Sequence, residues 1–182
     1  SQAIFFDIRL EPYLLATAER HVDLAPQLQA LVRDTQAQAI SLVHGDVSPK
    51  NILVDGHAPV FLDAECAVWS DPAFDLAFCL NHLLLKCLWT PVATAGFLAC
   101  FDRLVDAYLP GVDWEPADAL QRRAARLLPG LLLARVDGKS PVEYLTQDTQ
   151  RQVVRGVARA LLQQPVGRLG EVAQAWHQGL SR

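Results

Sequence analysis

The sequence offers no run of apolar residues long enough for a membrane span. Its two most apolar stretches, 76–89 and 127–136, are interrupted by Asn81, His82, Lys86, Pro129 and Arg135, short of the roughly 18 continuous apolar residues such a helix needs. The opening Ser-Gln-Ala-Ile-Phe-Phe-Asp has neither a basic region nor a cleavage pattern, and does not read as a signal peptide. Basic residues are in the minority, 16 Lys and Arg against 20 Asp and Glu for a formal net charge of −4, and they form no block. An electrostatic grip on nucleic acid is therefore not expected. Trp69, Trp89, Trp114 and Trp176 are spread too widely to form a stacking platform for bases. Cysteine is sparse and unpatterned: Cys66, Cys79, Cys87 and Cys100 make no C-x-x-C pair and have no histidine at ligand spacing. Cys79, Cys87 and Cys100 lie in apolar helical patterns and are expected to pack as small hydrophobes. Reduced thiols in turn lead to an expected cytoplasmic location.

What is present is a chain of 182 residues, 51% hydrophobic, enough for one domain with a sizeable core. Apolar spacing predicts helices over 8–20 and 26–40, with Asp23 as a cap for the second. From Ser41 the texture turns polar and rich in Gly and Pro, which reads as a loop. Two short β-branched runs, 52–54 and 59–62, flank Asp55-Gly56-His57-Ala58 and predict one hairpin, with His57 exposed in its turn. Beyond Asp71, expected as a cap, helices are predicted over 72–89, apolar nearly all round and so central, and over 92–109, stopped by Pro110-Gly111. A helix over 116–136 is expected to bend or break at Pro129-Gly130. Ser140-Pro141-Val142-Glu143 reads as a capping box opening a helix to about 163, and a last helix covers 169–179. The expected fold is mainly α with one small β-hairpin around residues 51–63.

Three polar residues flank that hairpin. Asp46 precedes it, Asn51 opens it and Asp63 closes it. Pairing about His57 puts Asn51 opposite Asp63, at a cross-strand distance of about 5 Å. An amide oxygen and a carboxylate so placed can share a hard cation with oxygen ligands near ~2.1 Å, the habit of Mg²⁺. Asp46 then hangs over the same site as a carboxylate base, an arrangement suited to phosphoryl transfer. Taken singly, each reads first as a turn or cap residue; it is the three together, at this spacing, that point to a site. A metallophosphoesterase site is set aside, because Val47–Leu53 supplies no further ligand but Asn51.

The run His44-Gly45-Asp46-Val47-Ser48-Pro49-Lys50-Asn51-Ile52-Leu53 resembles the catalytic loop of the aminoglycoside phosphotransferase and choline kinase group, small-molecule relatives of the protein kinases. Leu62-Asp63-Ala64-Glu65 is similar to that group's metal-binding segment, and Asp71-Pro72-Ala73-Phe74-Asp75-Leu76-Ala77 to the start of the supporting helix. The resemblance implies the helical C-terminal lobe of a protein-kinase-like fold over residues 1–182. It implies Asp46 as catalytic base, Asn51, Asp63 and Glu65 around Mg²⁺, and Ser48, Asn51 and Asp63 toward the nucleotide, ATP. His44 would brace the loop and Asp75 would hold its backbone. Glu65 reads equally as a solvated strand end, and Asp75 as an acid favoured by the helix dipole. Ser48 stands where protein kinases carry a phosphate-touching lysine, and Lys50, one residue before Asn51, is expected to face solvent.

Such a kinase also needs a strand-rich N-terminal lobe with a glycine-rich loop and a strand lysine. The 45 residues before Asp46 hold no lysine and no Gly-rich loop, so that lobe reads as absent here and is expected in cis as a partner. The chain alone is accordingly expected to be weak or inactive, and a non-catalytic binding or assembly module is the alternative. The acceptor implied is a small hydroxylated molecule. Asp102, Asp106, Asp113, Glu115 and Asp118 would suit a cationic one or be an ordinary solvated face, and Tyr108 and Trp114 read first as packing residues and otherwise as walls of an acceptor pocket. His82 is expected as a satisfied core histidine, and His21 and His177 as unpartnered.

Overall fold

The computed structural model describes residues 1–56 and 58–181; His57, the predicted tip of the hairpin turn, lies outside them. Among the described residues the chain is mainly helical, with two small antiparallel sheets. The first helical stretch starts at Gln2, earlier than the apolar spacing suggests. It runs through α1 (Gln2–Phe5), a π-helical segment (Phe6–Leu15) and α2 (Ala16–Arg20). The wide segment holds Pro12, which cannot donate a hydrogen bond, and the Ala16 N–H reaches back five residues to the Glu11 carbonyl. The Pro12 carbonyl accepts instead from Lys139 N–H at 2.9 Å.

Asp23 does not cap α3 (Ala25–Gln36): it lies in a 3₁₀ turn, and its carboxylate pairs with Arg159 at 2.6 Å. That guanidinium also touches His21 Nδ1 at 2.8 Å, and His21 Nε2 is 2.8 Å from Asp137. His21, expected to be unpartnered, therefore joins two ion pairs. Because arginine can only donate, its Nδ1 accepts and its Nε2 donates.

The expected loop at Ser41 contains a strand. β1 (Ser41–Val43) pairs antiparallel with β4 (Val68–Ser70), matching Val43 with Val68. The hairpin itself is β2 (Ile52–Val54) with β3 (Pro59–Phe61), and its register is Ile52 opposite Phe61. Carried one residue outward, that register sets Asn51 against Leu62, whose N–H donates to the Asn51 carbonyl at 2.8 Å, and Asp63 falls one residue beyond. That corrects the expected pairing of Asn51 with Asp63. A residue shift in register exchanges the two faces, and Asp63 turns out of the strand at φ 66°, in the left-handed region.

α4 (Ala73–Trp89) and α6 (Ala117–Asp137) form the centre of the core. Phe74, Phe78, Leu80 and Leu84 from the first and Leu128, Leu131 and Leu132 from the second are fully buried. α6 is not broken at Pro129-Gly130. Gly130 instead lets neighbouring helices close in, since a Cβ there would come within 2.7 Å of Leu31 and 3.1 Å of Leu14. α5 (Thr94–Tyr108) ends before Pro110-Gly111 as predicted.

The Ser140–Glu143 capping box is a further correction. The segment is a turn pinned to the end of α6, with Val142 N–H on the Arg135 carbonyl at 2.8 Å, and α7 (Asp148–Gln163) starts later. Gln147 and Gln150 form its box instead. α8 (Leu169–Leu180) closes the chain and buries Trp176. Cys66, Cys79 and Cys87 are buried, whereas Cys100 is exposed on α5, contrary to its expected packing. None of the helices described is long and apolar enough to cross a membrane.

Candidate active site

The loop from His44 to Asn51 connects β1 to the hairpin, and α4 holds it from below. Asp75, in the first turn of α4, accepts two loop N–H groups, from His44 at 2.7 Å and Gly45 at 2.8 Å. Burial pushes the Asp75 carboxyl up from its ordinary value, against the pull of those two N–H groups. Gly45 itself sits at φ +81°, and a Cβ there would lie 3.0 Å from Cys66, so the turn demands glycine.

His44 ties the loop to the far end of the hairpin. Its Nδ1 accepts from the Asp46 N–H at 3.2 Å, and Nε2 is 3.0 Å from the Leu62 carbonyl. One neutral tautomer, with the proton on Nε2, satisfies both bonds. The backbone of Asp46 is thereby linked through one ring to the residue preceding Asp63.

Asn51 is buried, and its amide NH₂ donates to the Asp46 carbonyl and to the Asp46 carboxylate, both at 3.1 Å. That orientation turns the amide oxygen of Asn51 away from Asp46. Asp63 and Glu65 are exposed, Glu65 within a 3₁₀ turn (Ala64–Cys66). Among the described residues no three His, Cys, Asp or Glu side chains converge as a metal cage. The donors on offer, an amide oxygen and an open carboxylate, fit Mg²⁺, which characteristically takes one or two protein oxygens and completes its shell with phosphate and water.

Arg9 is the residue that sequence reasoning missed. It comes from the π-helical segment and reaches across the loop. Its Nε donates to the Gly45 carbonyl, and its Nη2 lies 3.4 Å from the Asp46 carboxylate and 3.3 Å from the Cys66 thiol. The two side chains of the pair are only 14% and 15% exposed, so this contact is sheltered from bulk water. No motif announces it, because 37 residues separate the partners and Arg9 looks like one polar position on a helix.

Asp71, expected only as a cap, also does more. It accepts from the Ala73 N–H at 3.0 Å and is gripped at 2.9 and 3.0 Å by Arg123 of α6, which also holds Glu115 at 2.7 and 2.8 Å. Glu115 is thus already paired. Asp102, Asp106, Asp113 and Asp118 are exposed. Tyr108 meets Trp114 edge to face at 6.5 Å and borders an apolar cavity of about 380 Å³ beside His44 and Val47.

Ser48 is buried with its hydroxyl unpartnered among the described residues. It borders a second cavity of about 370 Å³, together with Lys50, His82, Lys86, Trp89, Arg135 and the turn at 141–144. Lys50 is exposed, as expected, yet it faces this cavity. His82 packs edge to face on Phe78 at 5.2 Å and is 3.4 Å from the Tyr144 hydroxyl.

Comparison with known proteins agrees with the motif reading at the family level. The model of the phosphotransferase enzyme family matches residues 3–120, a span that takes in the loop, the hairpin, Asp63 and α4. No curated protein matches the chain.

Proposed function

We propose that this chain, which belongs to the phosphotransferase enzyme family, is the catalytic C-terminal lobe of a protein-kinase-like enzyme that moves the γ-phosphoryl group of ATP to a hydroxyl of a small molecule. The carrying observation is the way the loop is held. Asp75 fixes its backbone at residues 44 and 45, and the amide of Asn51 orients the carboxylate of Asp46. A phosphoryl acceptor needs little from the protein beyond an oriented carboxylate and charge neutralisation at the phosphates.

In this reading Asp46 accepts a hydrogen bond from the acceptor hydroxyl and takes its proton as the new P–O bond forms. Asn51 and Asp63, with Glu65 nearby, would hold Mg²⁺, which neutralises charge on the nucleotide phosphates when bound. Ser48 supplies a hydroxyl toward the reacting groups. His44 keeps the loop and the hairpin exit in register. The glycine-rich loop and the lysine that complete ATP binding are assigned to a strand-rich lobe in the same polypeptide.

One observation favours a second reading, a non-catalytic binding module: Arg9 already neutralises Asp46 in this structure. The two readings separate on one substitution. Asp46→Asn in the polypeptide that carries this chain abolishes ATP-dependent phosphorylation across a panel of hydroxylated acceptors if the lobe is catalytic. Unchanged turnover would reject it.

A further inference from the structure

We infer that the acceptor carries an anionic group, a carboxylate or a phosphate, and that Lys50, Lys86 and Arg135 receive it in the cavity beside Ser48. The inference rests on the phosphotransferase reading and narrows its substrate class.

The cavity, about 370 Å³, has the size of a small-molecule site. Three cations border it and one carboxylate, Glu143, which is exposed. Elsewhere in the chain Arg9, Arg123, Arg126, Arg155, Arg159 and Lys139 are engaged by carboxylates, while Arg20, Arg33, Arg103, Arg122, Arg151 and Arg168 have no ion pair among the described residues and do not border this cavity. Lys50, Lys86 and Arg135 have no ion-pair partner among the described residues. Two of the three lysines in the sequence face this one cavity. Arg135 is held by neutral oxygens, the Tyr13 hydroxyl at 2.9 Å and the Ser140 carbonyl, while its Nε is buried without a partner. Lys86 is held over Trp89 at 4.6 Å and Tyr144 at 5.5 Å, which fixes the ammonium without cancelling its charge.

The buried, unpartnered Ser48 hydroxyl adds a neutral donor two residues from Asp46. His82, which lines the cavity, has its pKa pushed down to about 3, by burial first and then by Arg135, Lys86 and Lys50, so the three charges act on one point. A neutral imidazole leaves that field uncompensated.

The donor phosphates are assigned to the hairpin side of the loop. Asn51 and Asp63 lie at the hairpin, near the Asp75 end of α4, whereas Lys86 lies eleven residues further along that helix, about 16 Å at its normal rise; Ser48, which the family resemblance directs toward the nucleotide, and Lys50, directly before Asn51, line the part of the cavity that adjoins the catalytic loop. The apolar cavity beside His44 is a poorer acceptor site, because its one carboxylate, Asp75, is spent on loop N–H groups. Nor do Asp102, Asp106, Asp113 or Asp118, the acids that suggested a cationic acceptor, border the Ser48 cavity.

Calorimetric titration of the 182-residue chain with D-glycerate, glycerol 3-phosphate, glycerol, choline and Mg-ATP tests this. At least one of the two anions is expected to bind, glycerol and choline are not, and Mg-ATP is expected not to displace the anion. Lys86→Gln and Lys50→Gln should each weaken the anion about ten-fold, as loss of a charged hydrogen bond does, while Lys139→Gln leaves it unchanged. Absence of binding by both anions, preference for choline, affinity unmoved by Lys86→Gln and Lys50→Gln, or displacement by Mg-ATP would each overturn the inference. No turnover is read, so the result is independent of Asp46. If Asp46→Asn retains phosphotransfer while the anion binds as described, the catalytic reading fails and the anion site stands; the converse pair sinks only the anion site.

Discussion

Asp75 carries more of the site than its place in a helix's first turn suggests. A carboxylate there gains from the helix dipole anyway, yet both its oxygens are used on the loop, one for His44 and one for Gly45. Asparagine has only one acceptor oxygen, so Asp75→Asn leaves a loop N–H facing an NH₂ group. Urea unfolding should show a loss of about 1–3 kcal/mol, with phosphotransfer falling further than stability does. His82 makes a prediction in pH. Its folded pKa, about 3, lies below the unfolded value of 6.5. The unfolded state therefore binds the extra proton in between, and stability falls as pH drops from 6.5 toward 3. The loss is on the order of 3–5 kcal/mol over that window. His82→Gln should flatten that part of the urea-stability profile against pH; an unaltered slope would show that the ring is not buried in its neutral form.

At the scale of elements, the pattern told most where it was long. The helices at 72–89, 92–109 and 169–179 were legible from spacing and stop signals to within a few residues. Short elements were not: three residues of β1 and three of β4 are too few for alternation to show, and their partners are distant in sequence. Proline and glycine misled in both directions. Pro129-Gly130 was expected to bend or break α6, which runs unbroken through it; Gly130 serves the close approach of Leu31 and Leu14, and Pro12 was accommodated by widening the helix. The contacts of Asn51 with Asp46 run within one contiguous segment and so lie close in sequence; those of Arg9 and Arg123 do not show there, because each acts on its partner only through the tertiary fold. Arg123 joins α6 to the start of α4 through Asp71, which is 2% exposed. Removing the cation leaves a buried carboxylate uncompensated, so Arg123→Ala should cost about 3–5 kcal/mol in urea unfolding. A change near zero would mean that Asp71 is held by its helix-capping bond alone.

For the whole molecule, the α4 and α6 core serves as a platform. One face of α4 presents Asp75 to the loop backbone and, further on, His82, Lys86 and Trp89 to the cavity beside Ser48. The scarce apolar runs that argue against a membrane helix are the same segments that build this platform. On the proposed function, the oriented carboxylate of Asp46 serves phosphoryl transfer. That role is tested most directly by the rate of ATP-dependent phosphorylation in the polypeptide carrying this chain, wild type against Asp46→Asn, with urea stability measured alongside. The rate should fall at least about a hundred-fold, within the usual range for loss of a general base, with folding retained. Wild-type turnover by a folded Asp46→Asn protein would contradict that role.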